Sequence, residues 1–213
     1  MDDKKPKVAA VIVAHPDDET LWAGGTILNH PSWKWFIISL TRKSDEERAG
    51  KFYGVLKILG AEGIMGDLDD GPEQIPLEEN ELEETILQLL PPLKYDLIIS
   101  HHSAGEYTRH LRHEETAKAV ISLWNSGKVT TKELWTFAYE DGGKKYLPRA
   151  VRTDTLFKVL SEETWQKKYH LITENYGFNK KSWEAETTPK EEAFRKYTNS
   201  ADAIHWAIKG RKL

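Results

Sequence analysis

A seven-residue apolar run, Val8 to Ala14, ends abruptly on His15-Pro16-Asp17-Asp18-Glu19, and this junction limits the fold more than any other stretch. An unbroken run of Val, Ala and Ile has no polar face, so it reads as a short strand buried on both sides, the kind found in parallel sheets covered by helices. In open sheets of that kind ligands bind at the carboxyl ends of the strands, which puts His15, Asp17 and Asp18 where chemistry is usually housed. A local alternative stands beside this one. An aspartate ahead of a helix can cap it by accepting backbone N–H bonds, and the Asp pair taken alone fits either use.

The pattern repeats along the chain. Apolar strand candidates recur at Trp35 to Leu40, Tyr95 to Ser100 and Leu134 to Tyr139, with helical periodicity near Thr20 to Asn29, Asp45 to Leu59, Glu78 to Leu90 and Leu111 to Trp124. Alternating strands and helices predict an α/β fold with a mostly parallel sheet and helices on both faces. At 213 residues the chain suits a single domain, with a core of about residues 1–140 and a helical C-terminal extension of about 150–213. Within the extension a long helix is expected from Asp154 to Tyr176, ending at Gly177. Thr188-Pro189-Lys190-Glu191 has the form of a capping box with proline at the first helical position. It predicts a helix from Pro189 to about Thr198, with a further turn or two from Ala201 to Ile208. Glu140 to Lys145 reads as a surface turn. No G-x-G-x-x-G follows the first strand, so a dinucleotide site lacks its usual fingerprint. Gly24 and Gly25 fall inside the first helix pattern, where close packing or substrate approach is the expected reason.

A second polar cluster follows the Tyr95 to Ser100 strand: His101, His102, His110 and His113, four of the eight histidines in the chain. On a helix from Leu111, His113 shares a stripe with Ala117, Val120, Ile121 and Trp124, so it points inward. A single inward histidine is most simply a hydrogen-bonded core residue. Two of them, one turn apart after a strand end, are harder to explain by packing. Hydrolytic zinc sites take three imidazole or carboxylate ligands and keep a fourth position for water. His15, Asp18 and His113 can supply such a set, which leaves Asp17 beside it as a general base. The chain has no cysteine, so any metal would rest on His, Asp and Glu.

These residues resemble a known family. The string AHPDDE, Gly24-Gly25, Arg48 twelve residues before Gly60, Asp70-Gly71 and the H-x-x-H element after GEY are similar to the PIG-L/LmbE-like zinc-dependent deacetylases. Members of that family remove acetyl groups from N-acetylglucosamine-type sugars and have a Rossmann-like three-layer sandwich. The resemblance implies His15, Asp18 and His113 as metal ligands, with Zn2+ as the metal and Fe2+ as the other candidate. It implies Asp17 as general base, His110 as a cationic or proton-donating imidazole, Tyr107 as an oxyanion donor and Arg48 in the substrate wall. The chain departs from the pattern at Arg112, where the family carries an acid that orients the first histidine. A cation there disfavours imidazolium, so either another carboxylate, Glu114 or Glu115, serves His110 or its role is altered.

A net charge of −4 gives no general attraction to polyanions, which argues against a nucleic-acid partner. No apolar stretch approaches the ~18 residues of a membrane span, and the first residues lack a signal peptide's apolar core, so a cytoplasmic protein is expected, with homo-oligomers left open. Trp22, Trp183, Tyr139 and Tyr146 are aromatic candidates for stacking on a sugar ring, each weighed against plain packing. Two other functions remain open: a non-haem iron protein built on the same 2-His-1-carboxylate set, and a non-catalytic sugar binder.

Overall fold

The first strand, β1 (Val8–Val13), divides the interior, because Ala9, Val11 and Val13 face one side of the sheet and Ala10 and Ile12 the other. The computed structural model describes residues 6–107, 109–153 and 155–209. After β1 come α1 (Asp18–Leu28), β2 (Lys34–Thr41), α2 (Glu46–Leu59), β3 (Glu62–Leu68), α3 (Glu79–Leu89), β4 (Lys94–Tyr95), β5 (Leu97–Ser100) and α4 (Leu111–Asn125). The chain continues through β6 (Thr130–Thr131), β7 (Leu134–Phe137), β8 (Tyr139–Glu140), β9 (Arg149–Ala150), β10 (Leu156–Val159) and α5 (Glu162–His170). A π-helical turn at Leu171–Asn175, α6 (Trp183–Thr187), β11 (Glu191–Tyr197) and α7 (Ser200–Lys209) complete it.

Seven strands form one sheet in the order β10-β11-β7-β5-β1-β2-β3. The run from β7 to β3 is parallel, and β11 and β10 add an antiparallel edge. β4 with β6 and β8 with β9 make two short separate ladders. Helices α1 and α2 and the π-helical turn cover the Val11 face, while α3, α4 and α7 cover the Ile12 face. The architecture is the expected three-layer α/β sandwich. Winding runs outward from β1 through β2 to β3, then resumes on the other side of β1 with β5. The crevice at the carboxyl ends of β1 and β5 is therefore the topological switch point, the usual place for a ligand in this fold.

The strand and helix expectations up to Tyr139 hold to within a few residues. Two strands, β3 and the two-residue β6, have no counterpart among them. A Cβ at Gly63 would overlap the Ile37 carbonyl oxygen of β2, so close strand approach demands glycine there, and glycine removes the apolar signal that marks a strand. None of the described helices is long and apolar enough to cross a membrane.

The C-terminal part corrects two expectations. Asp154, the expected start of the long helix, lies outside the described residues, and Leu156–Val159 pairs as β10 with β11. The helix begins only after Ser161, whose hydroxyl accepts the N–H of Thr164, and it then runs through the π-helical turn to Gly177 at φ 77°. The predicted helix from Pro189 is strand β11 instead. The free edge of β7, Leu134 through Phe137, offers backbone partners to Phe194 through Tyr197, and that tertiary demand outweighs a local cap signal. The extension is thus part strand, and it finishes the sheet.

β11 also carries the tie that joins this part to α1. The fully buried Glu192 carboxylate accepts the N–H groups of Gly25 (2.8 Å) and Thr26 (2.7 Å), the Thr26 hydroxyl (2.7 Å) and the ammonium of equally buried Lys168 (2.8 Å). Gly25 is close-packed here, since a Cβ on it would run into Leu160. Replacing Glu192 by Ala removes the shared acceptor of four donors and leaves the Lys168 ammonium with only the Pro189 carbonyl at 3.2 Å. Such breakage costs roughly 3–5 kcal/mol, to be read as a lower urea midpoint; a loss under about 1 kcal/mol would show that the pair is not holding α1 to β11.

Candidate metal centre

Beyond β1 the chain turns sharply at His15-Pro16-Asp17 and enters α1 at Asp18, while His113 projects from the first turn of α4. Three ligand-type atoms meet between them. His15 Nδ1 lies 3.1 Å from Asp18 Oδ2 and 3.1 Å from His113 Nε2, and His113 Nε2 lies 3.4 Å from Asp18 Oδ2. Atoms bound tetrahedrally at about 2.0–2.1 Å from a zinc ion are about 3.3 Å apart, so this triangle has the dimensions of three such ligands. Two further groupings also converge here: His15, His110 and His113, and Asp18, His101 and His113.

The hydrogen bonds on the far side of each ring give those atoms their chemistry. His15 Nε2 faces Asp70 Oδ1 at 3.1 Å, and Asp70 is itself gripped by Arg42 at 2.6 and 3.0 Å. His113 Nδ1 donates to Glu106 Oε2 at 2.6 Å. With protons on the outer nitrogens, the inner nitrogens present lone pairs to the carboxylate of Asp18. This is the arrangement in which an outer carboxylate orients a metal-binding imidazole.

Without a cation such a cluster draws protons. Burial alone would lower His15, but Asp18 and Asp70 outweigh it and raise the imidazole to about 9. Burial likewise opposes the charge on His113, and Asp18 and Glu106 overcome it to reach about 10. Asp18 itself would rise through burial, yet His113 and His101 hold it well below the usual carboxylate range. Asp17 goes the other way, since burial and then the Asp18 charge push it well above that range. Two adjacent carboxyls are therefore held in opposite senses, as acid–base sites require.

Neither aspartate caps α1 through its side chain. Asp18 Oδ2 accepts the N–H of His15 at 3.0 Å and Oδ1 accepts the indole N–H of Trp22 at 3.2 Å, which orients the carboxylate back over the turn. Asp17 sits at φ 126°, ψ −29°, a conformation that only glycine adopts without strain. Its N–H is held at 3.0 Å by buried Glu19, whose carboxylate also takes the hydroxyls of Thr20 (2.6 Å) and Tyr176 (2.7 Å).

The surrounding cleft, about 680 Å³, is lined by His15, Asp17, Arg48, Tyr107, His110 and Trp183 among others. Arg48 lies over the Phe178 ring at 4.9 Å, and Tyr107 packs between Trp22 and Trp183 at 5.5 and 5.1 Å. All seven residues singled out in the sequence therefore border one cleft. Trp183 is 38 % exposed, whereas Trp22 is fully buried. Tyr139 is also core, donating its hydroxyl to the Trp22 carbonyl, and Tyr146 stacks with Arg149.

His110 differs from expectation. It stacks on His113 at 4.1 Å, its Nδ1 is buried without a partner, and burial followed by the charges of His113 and His15 pushes it down to about 4. Glu114 is occupied by Arg109 at 2.8 and 2.9 Å, and Glu115 by Arg112 at 2.6 Å and the Leu77 N–H at 3.1 Å. Neither acid serves His110, which is accordingly neutral rather than cationic. Sequence reading also gives no role to Asp70, Arg42, Glu106 or His101. The only available hints are Asp70 in the Asp70-Gly71 pair, Glu106 inside GEY, and His101 in the histidine cluster.

Comparison with known proteins gives the family and the fold. Residues 10–124 match the PIG-L family, described as GlcNAc-PI de-N-acetylase. The chain belongs to that family. It is 24 % identical over 185 residues to an uncharacterised protein of Acanthamoeba polyphaga mimivirus, a match covering 79 % of this chain and 75 % of the relative. Among solved structures, a deacetylase of the teicoplanin biosynthesis pathway shares the fold at a TM-score of 0.58 and 14 % identity, over 79 % of this chain and 83 % of that one. GalB, the 4-carboxy-2-hydroxymuconate hydratase of Pseudomonas putida, matches at 0.58 and 17 %, over 89 % and 95 %. The conserved protein TT1542 of Thermus thermophilus matches at 0.58 and 18 %, over 89 % and 94 %.

The strained turn yields a prediction that separates stability from chemistry. Asp17→Gly removes the backbone strain and a half-buried carboxyl, and should raise the free energy of unfolding by about 1 kcal/mol. Denaturant titration of the two proteins checks this; a clear loss of stability would mean that the Asp17 side chain makes a structural contribution outweighing its backbone cost.

Proposed function

We propose that this family member removes the acetyl group from an N-acetylglucosamine-type amino sugar or its conjugate, with zinc held by His15, Asp18 and His113. The observation carrying the proposal is the 3.1–3.4 Å triangle of lone-pair atoms with Asp17 beside it in the same cleft. When bound, the ion would polarise the acyl carbonyl and bring the pKa of its water near 7. The donor set fits this group: two imidazoles and one carboxylate, each oriented from behind.

The side chains then divide the work. Asp17, raised above an ordinary carboxylate by burial and Asp18, is basic enough to take a proton from the attacking water. Charge develops on the former carbonyl oxygen as the water adds. Neutral His110, with its unsatisfied ring nitrogen, and the Tyr107 hydroxyl are the donors placed around the cleft to receive that charge. Collapse needs a proton on the departing amine, and Asp17 returns the one it took from the water, since a neutral His110 has none to spare. Arg48 and the exposed part of Trp183 form the wall available to sugar hydroxyls and a ring face. The hydratase among the structural neighbours also adds water to its substrate, so the fold alone does not select the bond broken. The family match favours the amide.

Asp17→Asn should retain zinc and lose turnover by roughly 10²–10⁴-fold, whereas His15→Ala should lose both. Metal content and amine release from N-acetylglucosamine and short chitin oligomers measure this pair. Wild-type turnover in Asp17→Asn removes the base assignment; iron with oxygen uptake in place of amine release would favour the non-haem iron reading.

Metal uptake should also be linked to pH. At pH 7 the metal-free chain holds protons on His15 and His113, whose values are raised to about 9 and about 10. Both must offer lone pairs to the ion, so binding should release roughly one to two protons. Apparent affinity should therefore rise with pH until those values are passed. Calorimetry of zinc binding in buffers of different ionisation enthalpy gives the count, and an affinity independent of pH between 6 and 9, the range approaching those raised values, would contradict the assignment.

A further inference from the structure

The polar cluster that follows β5 contains a histidine, His101, and a carboxylate, Glu106, that the reaction does not use. Both are buried, at 0 % and 2 % exposure. We propose that Glu106 is the positioning residue of the metal centre, one carboxylate that fixes the tautomer of His113 and, through His101, ties the end of β1 to the same point.

The argument follows the protons. The ladder between β1 and β5 has Ile12 opposite Ser100 as its last pair, and beyond it the Ala14 N–H donates to His101 Nε2 at 2.8 Å. A backbone N–H can only donate, so His101 Nε2 carries no proton. The proton sits on Nδ1, which donates to Glu106 Oε1 at 2.6 Å. The other oxygen of Glu106 takes the Nδ1 proton of His113, also at 2.6 Å. His101 and His113 consequently lie face to face, 3.9 Å between centroids and 18° from parallel. His101 is thus excluded as a ligand, although its Nε2 is only 3.5 Å from Asp18 Oδ2, because its lone pair is already spent on Ala14.

Two N–H donors from opposite sides require a side chain with two acceptor oxygens and no proton. Glutamine has one such oxygen and an NH2 group. In Glu106→Gln one imidazole must face that NH2 and reverse its tautomer. If His101 reverses, an N–H is forced against the Ala14 N–H; if His113 reverses, a proton occupies the position of the metal-facing lone pair. Either outcome weakens the centre, and the steric change is minimal.

The role toward the ion rests on the metal-centre reading above, and the experiment keeps the two apart. Zinc binding to wild type and Glu106→Gln is measured by competition with a chelating dye, with circular dichroism confirming that both are folded. The expected loss in the variant is about 10–100-fold in affinity. Long-range 15N–1H spectra of the imidazoles in the metal-free wild type supply a second readout, expected to show protons on Nδ1 of both His101 and His113. Wild type that binds no zinc overturns the metal centre and with it the role of Glu106. Wild type that binds zinc beside a Glu106→Gln that binds it equally well overturns the role alone, as does a His101 protonated at Nε2.

Discussion

Two imidazole nitrogens and a carboxylate oxygen held within 3.1–3.4 Å of one another need a proton or a cation between them. Much of the architecture can be understood as the restraint that keeps them together. β1 and β5 lie side by side in the sheet, so their ends cannot separate. The α4 helix begins within one turn of His113, and its apolar stripe is packed under the Ile12 face. Asp70 and Glu106 then grip the two rings from outside. A cluster assembled this way is frustrated when empty of cations, and the raised imidazole values express that frustration as an affinity for protons.

This division explains what could be read from the chain and what could not. The apolar run of β1 and the polar residues immediately after it are contiguous, so strand, turn and candidate ligands are legible together. His113 is legible because helical periodicity turns it inward with Ala117 and Val120. Asp70 lies 55 residues from His15, and a carboxylate serving a distant ring has no local pattern. Arg112 misleads in the opposite sense. As a cation one place before a ligand it suggests an altered site, yet it turns away to the Asp69 and Ile75 carbonyls, at 2.6 and 2.7 Å, and to Glu115. The capping box at Thr188 is a true local preference overruled by the open edge of β7. Local signals fail here where the sheet's edge, absent from any window of sequence, sets the outcome.

The family match ends at residue 124, but the cleft does not. Phe178, Trp183 and Glu184 form part of its wall, and the Tyr176 hydroxyl supports Glu19 beneath the Asp17 turn. The Glu192 and Lys168 pair ties these later elements to the C-terminal half of α1. The C-terminal part therefore does two things: it completes the sheet and it braces the residues that would carry the chemistry. Variation in substrate among proteins of this fold can arise in that wall without disturbing the triangle, which comes from the ends of β1 and α4.

The neutral His110 follows from the same electrostatic economy. A cluster that is to hold a divalent cation gains nothing from a second permanent positive charge 4.1 Å from one of its ligands. Burial and the neighbouring imidazoles keep His110 neutral, and Glu114 and Glu115, which might have charged it, are engaged by Arg109 and Arg112 instead. A neutral imidazole still donates one hydrogen bond, and its strength as a donor grows as negative charge appears on the acceptor. On the proposed reading such a group would stabilise the developing oxyanion more than the bound amide, which is what rate enhancement requires. Arg112 is then no defect of the site, since its guanidinium is spent on the Asp69 and Ile75 carbonyls and on Glu115.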